Sequence, residues 1–156
     1  MKKRVLFVCL GNICRSPAAE GIMRKMVADR GLADDFEVDS AGTYAGHAGE
    51  LPNLRMRQPA ARRGYQLTHH ARHFTIHDFD RFDIILVMDD SNYDDVCCQA
   101  RDLESRAKVH RMAEFITSQE VDHVPDPYYG GHEGFEHVLD LLEDGCINLI
   151  DRLSAE

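Results

Sequence analysis

Cys9-Leu10-Gly11-Asn12-Ile13-Cys14-Arg15-Ser16-Pro17 holds a thiol and a guanidinium with five residues between them, directly after the apolar run Val5-Leu6-Phe7-Val8. A short loop that tolerates φ > 0 at Gly11 and Asn12 can curl so that the backbone N–H groups of Leu10 to Cys14 point inward. Arg15 closes the rim with two donors for two oxygens. Ser16-Pro17 then opens a helix, because serine caps well and proline loses nothing in a first turn. Inward amides, a helix N-terminus, the guanidinium and the Ser16 hydroxyl all favour negative charge at one spot, and a phosphate dianion suits it. The same field favours a Cys9 thiolate, poised for attack on phosphorus. The Gly-Lys-Ser/Thr ending of a nucleotide-binding loop is missing, which excludes that reading.

A phenolate or alkoxide departs poorly from a site tuned for anions, so a proton donor must reach this loop. Asp126 is the best candidate. It lies in Val124-Pro125-Asp126-Pro127-Tyr128-Tyr129-Gly130-Gly131, where flanking prolines and terminal glycines hold one carboxyl in a rigid loop. Asp122 is the second choice. Tyr128 and Tyr129 offer flat apolar surface to an aromatic ring while their hydroxyls stay wet.

These groups need a scaffold, and the chain supplies alternating strands and helices. Strands are expected near residues 4–9, 36–40, 83–88 and 107–112. The first helix carries Ala19, Ile22, Met23, Met26 and Val27 at helical spacing and stops at Gly31. Further helices are expected over 54–64 and 89–103, and the last over 132–153, with an apolar stripe from Phe135 to Leu153. Ile84 to Met88 reads as a central parallel strand covered on both faces. Four strands with helical crossovers give an α/β, doubly wound, flavodoxin-like three-layer sandwich around a parallel sheet, with ligands at the carboxyl ends of strands. Cys9 falls at such an end.

At 156 residues the chain is expected to be a single domain, 1–156. A net charge of −9 argues against nucleic acid and anionic membrane surfaces as partners. The segment Val5–Leu10 is too short for a signal-peptide core, and cysteines at 9, 14, 97, 98 and 146 form no even disulfide framework. A cytoplasmic, reducing location is expected.

Four separated segments, Cys9 to Pro17, Asp39-Ser40-Ala41-Gly42-Thr43, Met88-Asp89-Asp90-Ser91-Asn92 and Asp126-Pro127-Tyr128-Tyr129-Gly130, together resemble the low-molecular-weight protein tyrosine phosphatases of bacterial type over nearly the whole length. The resemblance implies a phosphotyrosine phosphatase I-like fold and no metal or organic cofactor. It also implies a two-step reaction through a phosphocysteine on Cys9, with Asp126 as acid and then base. By the same resemblance Ser16 donates to the thiolate, Asn12 is held in a left-handed conformation by Ser40 and His69, and oxidation can join Cys9 to Cys14 reversibly. The substrate it implies is a phosphotyrosine protein, possibly a bacterial tyrosine kinase, and the protein is expected to be a monomer or weak homodimer.

His69, His70, His73 and His77 cluster in sequence but match no zinc spacing, and His132-Glu133 and Glu136-His137 lack the paired-histidine pattern of a zincin. Relatives carry a bulky aromatic wall where Gly46 stands, so either the slot is wider or Tyr44 or His47 supplies the wall. Three other readings share the loop. An arsenate reductase needs relay cysteines, and Cys97 and Cys98 are adjacent and late in their helix. An arginine phosphatase resembles this loop with threonine in place of Ile13, whose methyls favour an aromatic ring. A non-enzymatic phosphotyrosine-binding module keeps the cradle and dispenses with the nucleophile or the acid.

Overall fold

Val5, Leu6, Phe7 and Val8 are completely buried in the computed structural model, which describes residues 2–128 and 130–156. They form the middle of β1 (Lys3–Cys9), and the alternation of a strand sends them to two different cores. Val5, Phe7 and Cys9 join one, Leu6 and Val8 the other. A strand apolar on both faces must be covered on both, and each such side chain removed from water contributes about 1.5–3 kcal/mol.

Strands β2 (Phe36–Gly42), β3 (Ile84–Val87) and β4 (Val109–Arg111) complete a four-stranded sheet of order β2-β1-β3-β4, parallel throughout. Helices α1 (Arg15–Asp29) and α6 (His132–Ser154) contribute Ala19, Ile22, Met23, Phe135, Leu139 and Leu142 to the first core. The short α3 (Asp78–Arg81), and α4 (Asp90–Cys97), cover the opposite face through Phe79, Val96 and Cys97. The chain leaves β1 for β2, its neighbour on one side, and then returns from β2 past β1 to β3, its neighbour on the other. The carboxyl end of β1 is therefore the point where strand order reverses, the usual ligand crevice of such sheets.

Helix α1 ends as expected, with Gly31 at φ 72 just beyond it. Helix α2 (Leu54–Arg62) begins at Asn53, whose side chain accepts from the Arg55 N–H at 2.9 Å. Two expectations are corrected. The single helix over 89–103 is instead α4 and a separate α5 (Leu103–Ala107), because Asp89 and Asp102 are both N-caps, accepting from Asn92 N at 2.8 Å and Ser105 N at 2.7 Å. Asp102 restarts a helix where the expected one continued. The strand over 107–112 shortens to Val109–Arg111, and Met112–Phe115 forms a 3-10 turn.

Candidate active site

Cys9 ends β1 opposite Gly42, the last residue of β2, and the chain then turns back over itself. Thr43 N donates to Cys9 O at 3.0 Å and Tyr44 N to Leu10 O at 2.9 Å, so the segment after β2 is stitched to the start of the loop. Asn12 stands at φ 57, the one positive φ of a non-glycine among the described residues. Gly11, expected to share that conformation, does not. Its missing side chain leaves room for His47, whose Cδ2 would lie 3.0 Å from a Cβ at Gly11. Helix α1 begins at Arg15 rather than after a Ser16 cap, and its N-cap Cys14 makes no side-chain cap bond.

Ser16 is released from capping because its hydroxyl is used elsewhere. Its Oγ lies 2.9 Å from Cys9 Sγ, and its backbone N–H points at the same sulfur at 3.5 Å. Asn12 Nδ2 donates to Ser16 Oγ at 2.8 Å and to Ser40 Oγ at 3.0 Å. An ionised sulfur can only accept, so the Ser16 hydrogen turns toward it. On its other side Asn12 Oδ1 accepts from Arg72 N at 3.0 Å and faces His69 Nε2 at 3.0 Å. All the polar atoms of this fully buried amide are engaged, which holds the left-handed turn in place.

Behind it stands a group absent from the sequence reasoning: Glu20, nearly buried, accepts from Ser40 Oγ at 2.6 Å and Arg24 Nε at 2.8 Å and lies 3.2 Å from His69 Nδ1. Asp39 completes the group, 3.4 Å from His69 Nδ1, and is itself paired with Arg72 at 3.0 Å. Glu20, Asp39 and His69 come close enough to hold a cation. Each is instead tied to Ser40, Arg24, Arg72 or Asn12 in this network. The other histidines of the run go elsewhere; His73 Nε2 faces Thr43 O at 3.2 Å.

Arg15 is buried. Its Nη1 donates to Asp89 Oδ2 at 2.7 Å and to Val124 O at 3.0 Å, and its Nη2 lies 3.7 Å from Asp126 Oδ2. Burial works against its charge, but Cys9 and the Asp89 pairing outweigh it and hold the guanidinium above its ordinary range. Asp89 was visible in sequence only as part of a motif. The same carboxylate caps α4 and fixes the arginine, and an N-cap Asp directly after a buried strand was the signal that could have found it.

The loop encloses a slot of about 210 Å³ lined by Cys9, Leu10, Gly11, Ile13, Cys14 and Arg15 on the floor and Tyr44, His47, Asp126 and Tyr128 on the walls. Asp126 is thus brought to the loop, its Oδ1 accepting from Tyr128 N at 3.0 Å. Asp122 is not: it is exposed, 2.6 Å from His123 Nδ1, and lines a different depression. Tyr129, expected beside Tyr128, lies outside the described residues. Gly46 is explained by Tyr44: a Cβ at 46 would fall 2.1 Å from the Tyr44 ring, which occupies that space and meets His47 edge to face at 5.9 Å. Tyr44 is the wall. Cys14, deep in the loop, is a neutral thiol: burial, then Cys9 and Asp126, push it up to about 12.

A thiol under a guanidinium at the switch point of a doubly wound sheet, with a carboxyl across the slot, is the arrangement of an enzyme that cleaves phosphate monoesters through sulfur. Residues 4–156 match the low molecular weight phosphotyrosine protein phosphatase profile, and the chain belongs to that family. It is 40% identical over 151 residues to the low molecular weight phosphotyrosine protein phosphatase of Homo sapiens, covering 96% of this chain and 95% of that one. It is similar to the crystal structure of a protein tyrosine phosphatase from Entamoeba histolytica, with a TM-score of 0.95, 43% identity and coverage of 99% and 98%. It is also similar to a Drosophila arginine phosphatase, with a TM-score of 0.89, 33% identity and 98% coverage of both. The α/β fold with a four-stranded parallel sheet is as expected.

Proposed function

We propose that this protein-tyrosine phosphatase uses Cys9, Arg15 and Asp126 in a two-step hydrolysis, and that residues 1–156 form the one domain that does it. The observation that carries the reading is that Asp126, far along the chain from the loop that holds Cys9 and Arg15, lines one slot with both. In the first step Cys9 sulfur attacks phosphorus in line, the P–O bond to the phenol breaks, and the oxygen leaves with the Asp126 proton. Arg15 and the amides of Leu10 to Cys14 hold the equatorial oxygens. In the second step Asp126 takes a proton from water, the hydroxide attacks phosphorus, and Cys9 departs as a thiolate stabilised by the Ser16 hydroxyl. Asn12, Ser40 and His69 keep the loop in shape, while Ile13, Tyr44 and Tyr128 clasp an aromatic ring.

Phosphotyrosine in a protein is the substrate class, and a bacterial tyrosine kinase is the finer proposal, made on family resemblance. A monomer or weak homodimer in a reducing, cytoplasmic setting fits a mechanism that needs a free thiol at Cys9. Among the described residues no helix is long and apolar enough to cross a membrane.

Turnover of a phosphotyrosine peptide and of p-nitrophenyl phosphate tests the assignment. Cys9→Ser abolishes both and Asp126→Ala reduces peptide turnover by roughly 10²–10⁴-fold. Faster hydrolysis of a phosphoarginine peptide, or thiol-dependent arsenate reduction, would move the protein to one of the related activities.

A further inference from the structure

Arg55, in the first turn of α2, reaches across to the segment that carries Asp126. Its Nη1 donates to Tyr128 O at 3.0 Å, its Nη2 donates to Gly130 O, and its guanidinium lies over the ring of the buried Phe135, 4.7 Å from the centroid. Tyr128 in turn donates its N–H to Asp126 Oδ1 at 3.0 Å. At the other end of α2's cap, Asn53 N donates to Ile13 O in the phosphate loop at 2.7 Å, and the Asn53 side chain accepts from Arg55 N. One short chain of contacts therefore runs from the loop around Cys9, through the cap of α2 and Arg55, to the carboxyl of Asp126.

The Asp126 segment is gripped at both ends by an arginine. Arg15 takes Val124 O and faces the Asp126 carboxylate; Arg55 takes the two carbonyls beyond it. Between them the prolines and the local Gly130 N to Pro127 O bond at 3.0 Å stiffen the backbone. A planar guanidinium can hold two carbonyls of one segment at once while stacking on a ring, which an ammonium cannot.

We propose that Arg55 is a positioning residue for the proton donor. It touches none of the atoms that react; it fixes where the Asp126 carboxyl stands relative to Cys9, and this inference rests on the reading of Asp126 as the acid. Proton delivery matters in proportion to how poor the leaving phenol is. Loosening Asp126 must therefore slow the first step, read as kcat/KM, for phenyl phosphate while sparing it for an ester whose phenol leaves unaided; the second step, where Asp126 is the base, is common to both. A merely structural arginine would affect both alike.

The test compares wild type, Arg55→Met, Arg55→Lys, Asp126→Asn and the double variant Arg55→Met/Asp126→Asn on phenyl phosphate and 2,4-dinitrophenyl phosphate, with the inhibition constant of inorganic phosphate as a readout of the loop itself. Arg55→Met is expected to lose about tenfold or more in kcat/KM, which reports only the steps through phenol release, on phenyl phosphate and under about twofold on the dinitrophenyl ester, with phosphate inhibition unchanged. Arg55→Lys, which keeps the charge and one donating nitrogen but not the planar fork, recovers part of the loss and secures the answer should the methionine variant fold poorly. The double variant is no slower than Asp126→Asn alone. Equal losses in kcat/KM on both esters, or losses that multiply in the double variant, overturn the proposal. If Asp126→Asn itself shows no dependence on the leaving group, the acid assignment fails and the role of Arg55 falls with it. A steep Asp126→Asn series beside a flat Arg55→Met series refutes Arg55 alone.

Discussion

The Ser16 hydroxyl lies 2.9 Å from the sulfur of Cys9 and receives the Asn12 amide at 2.8 Å, so its own hydrogen turns to the thiolate rather than to the Ala41 carbonyl 3.4 Å away. That bond acts most strongly when sulfur leaves phosphorus with its charge restored. Ser16→Ala should therefore slow the second step more than the first. Stopped-flow measurement with p-nitrophenyl phosphate is expected to show a burst of phenol release followed by a steady rate reduced roughly 10²-fold. A uniform slowing with no burst would place Ser16 in the first step instead.

Asn12→Ala removes the bonds to Ser16, Ser40, Arg72 and His69 and puts an alanine at φ 57. The left-handed conformation costs an alanine about 1–2 kcal/mol, and buried partners left unpaired cost on the order of 1–3 kcal/mol more. Thermal unfolding should show a drop in Tm of several degrees. Phosphate affinity should fall with it, because the inward amides lose their arrangement.

Gly46 and Tyr44 compete for one volume. The sequence alone suggests that Gly46→Trp would restore a missing wall and sharpen aryl phosphate binding. With the Tyr44 ring 2.1 Å from the position of a Cβ at 46, even Gly46→Ala must expel it. KM for p-nitrophenyl phosphate is expected to rise in Gly46→Ala and in Tyr44→Ala, with kcat little changed, and the two effects should not add. Additive effects would show that Tyr44 does not use that space.

Cys14, pushed up to about 12 by burial and by the charge of Cys9 and Asp126, stays protonated across the neutral range. Its thiolate fraction then grows about tenfold per pH unit as pH rises toward that value. Peptide-resolved alkylation of Cys9→Ser protein by iodoacetamide should show negligible labelling of Cys14 at neutral pH and a steady rise through alkaline pH. Rapid labelling near neutrality would mean that the loop opens.

The phosphate loop and the apolar strand beneath it were legible because strand, Gly, Asn, Arg and Ser are local signals within nine residues. Asp126 was legible because two prolines and two glycines mark a rigid loop, which put it ahead of Asp122, and the resemblance strengthened that choice. The helix break at Asp102 is hard to see in sequence because an aspartate there reads as one more exposed helix charge until its side chain is seen accepting from Ser105 N. Glu20, Arg55 and the pairing of Asp89 with Arg15 were missed for a shared reason. Each residue reads as an ordinary charge on a helix or at its end, and each acquires its part only when the fold brings a distant loop against it.

The account rests on a covalent phosphocysteine, and the most direct test is to trap it. Asp126→Asn protein mixed with p-nitrophenyl phosphate, quenched in acid within its first turnover and digested, should carry one phosphoryl group on the peptide that contains Cys9, absent from Cys9→Ser protein. Phosphate found on a histidine or carboxylate, or turnover with no phosphorylated peptide at any quench time, would contradict it.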